Sequence, residues 1–468
     1  MRKVFILLFI CLSFNAFTQN VAQKINAAVN QFLNDEQLKH AVVSLYVTDE
    51  NGNKVFALNE QYGLAPASTQ KIFTSIAALS LLGKDFTYKT EIGYTGNIDD
   101  NFLNGNLIIK GYGDPTFGSW RYNKTKPDSI LNFIASALES AGIGSINGNV
   151  ILDDGAFSYQ PTPGGYIWED MGNYYGSGSW AINWRENQYD LILKPGKNIG
   201  DTSSIINTSP SLNVNEFNNF ITTAESNSGD NTILYLPPYG NNAFAEGTIP
   251  KGVKDFTVSG AVPYAADQFK TELDSFFFQH KILVRHGTTT GASFVKQHKA
   301  IPTADYIITT YNSPALDSIL YWFLQKSINL YGECLLKAIA YTKDNIGSTD
   351  IGVAELKKFW QQNGVDSSSI NISDGSGLSP QNRVTTYALV NALLYAQKQN
   401  WFQSFYNALP VYNNIKLKSG TINSVRSFAG YYTASNGKKY VLAIIVNNYD
   451  ASKGSVTPKI FKVLDALK

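Results

Sequence analysis

Ser68 and Lys71 lie three positions apart at the start of an otherwise apolar run, APASTQKIFTSIAALSLLG (residues 65–83). Pro66 precedes this pair and Gly83 ends the run, which predicts a buried helix with both polar side chains on one face of its first turn. A serine hydroxyl becomes a nucleophile when a base takes its proton, and a buried lysine can stay neutral and serve as that base. A backbone N–H at the helix start can stabilise an oxyanion. The pattern indicates acyl transfer.

The spacing of this pair is not unique in the chain. It recurs at Ser293/Lys296, in sequence that predicts a strand, and at Ser435/Lys438, across a predicted hairpin turn. On a strand, an odd offset sends two side chains to opposite faces of the sheet. A serine that only caps the helix, beside a lysine that reaches solvent, is the alternative that the stretch leaves open.

A second polar group, Ser327 and Asn329, falls between two apolar helical segments in KSINLYGECLL. Polar side chains can project from a short loop at such a junction. The S-x-N pattern carries little by itself, because it also occurs at Ser145, Ser211 and Ser369.

A third group, KLKSGT, contains Lys418, Ser419 and Gly420 on a predicted strand, followed by Thr421. A strand cation with an adjacent hydroxyl can bind a carboxylate, and a glycine lets a substrate backbone lie against the strand. An exposed strand that ends in a turn is the structural alternative.

The elements that must position these residues come from both ends of the chain. After a first helical pattern, AVVSLYV and KVFAL flank Asn51-Gly52, which predicts a hairpin. Near the other end, IKLKSGT, RSFAGYYT and KKYVLAIIV predict three strands before a last helix. We therefore expect residues 19–85 and 301–468 to form one α/β domain around an antiparallel sheet.

Residues 86–300 consist of short apolar runs broken by Gly, Asn, Asp and Pro, as in DNTILYLPPYGNNAF. This texture predicts strands and turns without long helical periodicity. We expect an inserted, β-rich region of two subdomains.

Composition excludes some functions. The chain has 468 residues, of which 44% are hydrophobic and 16% charged, so it can bury an extensive core. Its net charge is +1, with no basic stripe, and nucleic acid is not an expected partner.

The N-terminus predicts export. Arg2 and Lys3 precede a short apolar run that ends in small residues, so residues 1–18 are expected to be a cleaved signal peptide. A bulky residue before Cys11 argues against lipidation, and no later run is long enough for an integral membrane segment. After cleavage Cys334 is the only cysteine, so no internal disulfide can form. The expected location is the periplasm.

In chain order, S-x-x-K, S-x-N and K-[ST]-G are the set found in β-lactamases and penicillin-binding proteins. With stretches such as IIKGYGDPTF, YGSGSWAINWREN and DGSGLSPQNRVT, the sequence resembles the serine D-Ala-D-Ala carboxypeptidases and endopeptidases of the class C, low-molecular-mass penicillin-binding proteins. The resemblance covers nearly the whole mature chain. Glu333, four residues after Asn329, distinguishes this S-x-N from those at Ser145, Ser211 and Ser369.

The resemblance implies an α/β, transpeptidase/β-lactamase-like domain, an antiparallel sheet flanked by helices, with two inserted β-rich domains. It implies peptidoglycan stem peptides as substrates, β-lactams as covalent inhibitors and no cofactor. The resemblance implies that Ser68 is the nucleophile and Lys71 its base, and that Ser327 and Asn329 relay protons and bind the substrate amide. On the strand with Gly420, it implies that Lys418 and Ser419 bind the terminal carboxylate. The implied oxyanion hole consists of the Ser68 and Thr421 N–H groups. Ser419 stands where threonine is commoner, and Ile328 occupies the middle of the second motif.

Other chemistries have less support. His280, His286 and His298 do not have a metal-binding spacing, so no metal is predicted, and no G-x-S-x-G elbow or G-x-G-x-x-G loop occurs. A β-lactamase would need a deacylating carboxylate, for which Glu216, in Glu216-x-x-Asn219, is the nearest candidate. A non-catalytic wall-binding or β-lactam-sensing protein would have lost a catalytic residue, whereas all are present.

Overall fold

The structure is a computed structural model that describes residues 20–468. The predicted signal peptide and Cys11 lie outside these residues. Across 20–468, no helix combines the length and the apolar character that a membrane crossing requires.

Helices and strands are interspersed along residues 20–468. The helices are α1 (Val21–Leu33), α2 (Lys71–Leu81), α3 (Pro127–Ser140), α4 (Trp168–Met171), α5 (Ala265–Gln279), α6 (Gly291–Lys296), α7 (Leu316–Gln325), α8 (Asn329–Asp344), α9 (Thr349–Gln362), α10 (Thr386–Gln397), α11 (Phe402–Ala408) and α12 (Thr457–Leu464). The strands are β1 (Val42–Asp49), β2 (Lys54–Leu58), β3 (Lys89–Tyr94), β4 (Asn97–Asp99), β5 (Phe102–Asn104), β6 (Leu107–Gly111), β7 (Ser145–Ile146), β8 (Val150–Asp153), β9 (Gln188–Lys194), β10 (Ser204–Ser209), β11 (Glu216–Ala224), β12 (Asn231–Tyr235), β13 (Asn242–Pro250), β14 (Phe256–Ala261), β15 (Leu283–Val284), β16 (Thr288–Thr290), β17 (Tyr306–Asn312), β18 (Ile370–Asn371), β19 (Arg383–Val384), β20 (Val411–Tyr412), β21 (Ile415–Ile422), β22 (Val425–Thr433) and β23 (Lys439–Asn447).

One antiparallel sheet joins the two ends of the chain. Its strand order is β2-β1-β23-β22-β21-β20, and every neighbouring pair is antiparallel. Pairing of Val42 with Asn447 places the first strand beside the last. The predicted α/β fold on an antiparallel sheet is therefore confirmed.

Helices cover both faces of this sheet, because its central strands are apolar on both sides. In β23, Leu442 and Ile444 belong to the core cluster under α1 and α12, whereas the alternate residues Ala443 and Ile445 belong to the cluster around α2, α8 and α10. Successive strand residues point to opposite faces, so one apolar run fills both cores. Helix α2, with Ile72 fully buried, lies inside the second cluster.

The inserted region, defined here as residues 86–300, is built on four smaller sheets. Their orders are β16-β8-β6-β3-β17, β15-β7-β5-β4, β10-β9-β14 and β11-β13-β12. One continuous apolar cluster links them. Strand β17 pairs with β3, so the first of these sheets includes residues beyond 300. The domain limits and the division into two subdomains stay predictions.

Two expectations for this region were wrong. It contains long helices, α3 of 14 residues and α5 of 15. Their apolar residues do repeat at helical spacing, as Phe269, Leu273 and Phe277 do in α5, but glycine-rich turns on either side obscure the pattern. The Ser293/Lys296 pair lies on the short helix α6, not on a strand.

Candidate active site

Ser68 lies in a tight 3-10 turn, Ala67–Gln70, that leads directly into α2 at Lys71. Ala67 has a φ of 48°, a left-handed conformation that costs free energy for a residue with a side chain. The backbone of Gly377 packs against the Ala67 carbonyl so closely that a Cβ there would lie 2.1 Å from its oxygen. The surrounding chain thus holds Ser68 in a strained turn, half-buried, a feature typical of functional sites.

Lys71 is fully buried and has three polar partners. Its Nζ lies 3.0 Å from Ser68 Oγ and donates to Asn329 Oδ1 at 2.6 Å and to the Ser376 carbonyl at 2.7 Å. Burial lowers the pKa of Lys71 from 10.5 to about 7, against the opposing effect of the carboxylates Asp374 and Glu333. A substantial fraction of Lys71 is therefore neutral near neutral pH, as a general base requires.

Asn329 is the first residue of α8 and orients two groups. Its Oδ1 accepts from Lys71, and its Nδ2 donates to the Tyr175 carbonyl of the inserted region at 2.8 Å. Ser327, in the loop between α7 and α8, has a φ of 58° and is half-buried. Within residues 20–468, no side chain or backbone group hydrogen-bonds its hydroxyl, so the structure places Ser327 beside Asn329 but not in the bonded group around Lys71.

Strand β21 borders the nucleophile on the other side. A Cβ on Gly420 would lie 2.8 Å from Ser68 N and 2.6 Å from the Pro66 carbonyl, so only glycine permits this approach. Lys418 is buried, and its Nζ donates to the Ser419 carbonyl at 2.7 Å. Burial lowers the pKa of Lys418 well below its usual value, and the charge of Lys71 lowers it further.

The two hydroxyl residues of this strand differ in exposure. Ser419 Oγ donates to the Tyr412 hydroxyl at 3.1 Å and is half-buried. Thr421 is exposed, and its hydroxyl accepts from Arg426. These contacts leave Ser419 and Thr421 at the open edge of the site.

Sequence reasoning assigned no role to a second layer of side chains beneath Lys71. Gln70 Nε2 donates to Asp374 Oδ1 at 2.7 Å, and Asp374 also accepts from the N–H groups of Gly377 and Ser379. Glu333 accepts from the Gly375 N–H, and burial raises its pKa. The sequence contained a signal for this layer, because Glu333 and the DGSGLSPQNRVT stretch both belong to the family resemblance. Spacing alone does not predict that they lie beneath Lys71.

Other candidate groups lie elsewhere. Glu216 is exposed at the start of β11, paired with Asn242, and Asn219 donates to the Ser203 carbonyl, both within the inserted region. In the part of the chain that the structure describes, no three His, Cys, Asp or Glu side chains form a group that could hold a metal ion.

The antiparallel sheet, the buried α2 and the inserted β-rich region form a transpeptidase/β-lactamase-like fold. The chain belongs to the D-Ala-D-Ala carboxypeptidase 3 (S13) family, whose profile matches residues 25–467. The resemblance seen in the sequence is thereby confirmed.

Individual relatives agree with this assignment. The chain is 26% identical over 426 residues to the D-alanyl-D-alanine carboxypeptidase DacB of Haemophilus influenzae, covering 85% of this chain and 84% of that protein. It is 25% identical to the D-alanyl-D-alanine carboxypeptidase of Actinomadura sp. strain R39, covering 94% and 82%. The crystal structure of penicillin binding protein 4 (dacB) from Haemophilus influenzae superposes with a TM-score of 0.78 at 23% identity, over 95% of this chain and 98% of that one. That protein has also been crystallised with a β-lactam.

Proposed function

We propose that this protein is a serine D-Ala-D-Ala carboxypeptidase and endopeptidase that cleaves peptidoglycan stem peptides through an acyl-enzyme on Ser68. The observation that carries the proposal is the 3.0 Å contact between Ser68 Oγ and the buried Nζ of Lys71. A serine in contact with a buried lysine of lowered pKa is arranged for nucleophilic attack.

In acylation, neutral Lys71 takes the Ser68 proton as Oγ bonds to the carbonyl carbon of the penultimate D-Ala. The C–N bond of the tetrahedral intermediate then breaks, and the leaving amine receives the proton that Lys71 holds. The free hydroxyl of Ser327 relays that proton. The backbone N–H groups of Ser68 and Thr421 stabilise the oxyanion, and water then hydrolyses the ester to release the acid and restore Ser68.

Substrate is held along the edge of β21. Lys418 and Ser419 bind the terminal carboxylate, and the absent side chain at Gly420 leaves room for the peptide backbone beside Ser68. Asn329 binds the substrate amide while it orients Lys71. A β-lactam presents a carboxylate and a strained amide in a similar arrangement, and so acylates Ser68 covalently.

The same site can cleave a terminal D-Ala or a D-Ala cross-link, since both place a D-Ala carbonyl before the scissile bond. We further propose that the chain is exported to the periplasm, where this substrate lies. We also propose that residues 19–85 and 301–468 form the catalytic domain and 86–300 the insertion, with β17 joining a sheet of the insertion.

A β-lactamase is a less suitable assignment. The Glu216 carboxylate lies in the inserted sheet, and the buried Glu333 already accepts from Gly375 and Tyr166. These contacts tie Glu216 to the inserted sheet and Glu333 to the loop beneath Lys71, and neither includes a hydrogen bond to Ser68 that would place the carboxylate to activate a deacylating water.

One assay separates these functions. Purified protein is incubated with a diacetyl-L-Lys-D-Ala-D-Ala peptide, with a cross-linked dimer of stem peptides, and with benzylpenicillin, and the products are measured. We expect released D-alanine, cleaved dimer and a long-lived penicillin adduct. Rapid multiple turnover of penicillin with no release of D-alanine would contradict the proposal, and failure to cleave the dimer alone would limit it to carboxypeptidase activity.

A further inference from the structure

The loop that carries Ser376 determines one of the three contacts of Lys71. Residues 373–379 have no regular secondary structure, yet the Ser376 carbonyl accepts from Lys71 Nζ at 2.7 Å. If this peptide turned, Nζ would lose an acceptor and could leave Ser68. The Ser376 carbonyl belongs to the Ser376–Gly377 peptide, whose Gly377 N–H donates to Asp374 Oδ1 at 2.8 Å. Contacts to the neighbouring Gly375 and to the Ser376 side chain can hold the loop in this orientation as well.

Glu333 on α8 holds the Asp374–Gly375 peptide, two peptides before the one whose carbonyl binds Lys71. Both of its carboxylate oxygens lie near the Gly375 N–H, at 3.2 and 3.0 Å. The loop lies directly on the helix, since a Cβ on Gly375 would be 2.4 Å from the Gly332 carbonyl oxygen.

Tyr166 of the inserted region completes the arrangement. Its hydroxyl donates to Glu333 Oε1 at 3.1 Å and lies 3.1 Å from Ser376 Oγ. Tyr166 is only 6% exposed, and its neighbour Gly165 is seated against the same loop, where a Cβ would be 2.3 Å from Ser379 Oγ. A side chain from the insertion thus bridges α8 and the loop beneath the base.

We propose that Tyr166 and Glu333 are positioning residues for Lys71, so that the inserted region forms part of the catalytic apparatus. This inference rests on the proposed function of Ser68 and Lys71. Glu333 acts through the Gly375 N–H and Tyr166 through the Ser376 side chain, and neither touches a reacting atom.

The bridge also has an electrostatic consequence. The charged groups that face Lys71 are the carboxylates Asp374 and Glu333, which raise its pKa, and the cation Lys418, whose own pKa is lowered by Lys71. Around Glu333 lie Asp374, Tyr166 and the buried Lys337. The Tyr166 hydroxyl favours the ionised form of Glu333. Removal of the Tyr166 hydroxyl should therefore decrease the ionised fraction of Glu333, and the weaker negative charge beside Lys71 should lower the pKa of Lys71.

The test measures the second-order rate constant for acylation by penicillin as a function of pH in Tyr166→Phe and Glu333→Gln. Tyr166→Phe should lower the plateau about 10-fold, the effect of one charge-assisted hydrogen bond, and move the acid limb to lower pH. Glu333→Gln should also lower the plateau and move the acid limb to lower pH, in both cases by more than Tyr166→Phe does. The matched control is Tyr235→Phe, which removes a tyrosine–glutamate hydrogen bond of 3.1 Å elsewhere in the inserted region and should leave both quantities unchanged.

A wild-type plateau and acid limb in Tyr166→Phe would overturn the inference. So would a lower plateau with an unmoved acid limb and a matching loss of thermal stability, because that result indicates a merely structural role. If Glu333→Gln does not fold, Tyr166→Phe still decides the question. Failure of the wild type itself to be acylated would instead contradict the proposed function.

Discussion

Replacing Lys418 by methionine removes a cation while keeping a side chain of similar length in a buried site. Lys418 is 1% exposed, and the only hydrogen bond of its Nζ to the described residues goes to the Ser419 carbonyl. A cation so poorly solvated gains strongly from an arriving carboxylate. A charge-assisted hydrogen bond contributes about 1.5 to 3 kcal/mol, or roughly 10- to 150-fold in kcat/KM.

The assay compares acid and C-terminally amidated forms of one diacetyl-L-Lys-D-Ala-D-Ala peptide. Wild type should prefer the acid by about 10- to 150-fold, and Lys418→Met should lose most of this preference. The matched control is Lys416→Met, two residues earlier on the same strand, where Nζ binds the Leu409 carbonyl. Equal use of acid and amide by wild type would refute the carboxylate role.

The same variant reports on the charge balance of the pocket. Repulsion between two ammonium groups is mutual, so loss of Lys418 should raise the pKa of Lys71 and move the acid limb of kcat/KM to higher pH. This shift is opposite to the one expected for Glu333→Gln. An unmoved limb in Lys418→Met would contradict a charge interaction between the two lysines.

Three further outcomes are expected. Gly420→Ala should reduce the acylation rate at least 10-fold, because the new Cβ would lie 2.8 Å from Ser68 N. The control Gly164→Ala, whose Cβ meets open space, should have little effect. Stopped-flow acylation rates test this, and equal rates in the two variants would contradict it. Asn329→Asp should raise the pKa of Lys71, because it places a carboxylate where Oδ1 now lies 2.6 Å from Nζ. The pH profile of acylation should therefore move to higher pH, and a shift to lower pH would contradict this prediction. Lys71 binds its proton more weakly in the folded protein than in the unfolded chain. As pH rises from about 7 to 10.5, the unfolding free energy of wild type should therefore increase relative to that of Lys71→Met, by up to roughly 5 kcal/mol. Urea titrations at several pH values test this, and a constant difference would refute the lowered pKa.

Local pattern was enough to predict the elements that carry the site. Helix α2, the loop at Ser327 and strand β21 are where the apolar spacing and turn residues place them, because each has a strong period and clear ends. The expectation that strands from both chain ends share one antiparallel sheet is also confirmed, and in the structure β1 pairs with β23. Helices α3 and α5 were missed because short, glycine-rich neighbours obscure their periodicity.

The supporting layer could not be predicted in the same way. Tyr166, Glu333 and Asp374 come from three distant segments, and only the tertiary fold places them beneath Lys71. The pKa of Lys71 is equally a property of the folded chain, since burial is its largest cause. Motif spacing identifies the chemistry, but not the environment that makes a lysine basic at neutral pH.

The central claim, that Ser68 is the acylated nucleophile, is tested most directly by peptide mapping of the penicillin adduct. Wild type, Ser68→Ala and the control Ser293→Ala, which alters the S-x-x-K pair on α6, are treated with benzylpenicillin, digested and analysed by mass spectrometry. We predict one adduct, on the peptide that contains Ser68, in wild type and Ser293→Ala, and none in Ser68→Ala, with the unfolding free energy of Ser68→Ala within about 1 kcal/mol of wild type. An adduct on another serine, or full labelling of a folded Ser68→Ala, would contradict the account.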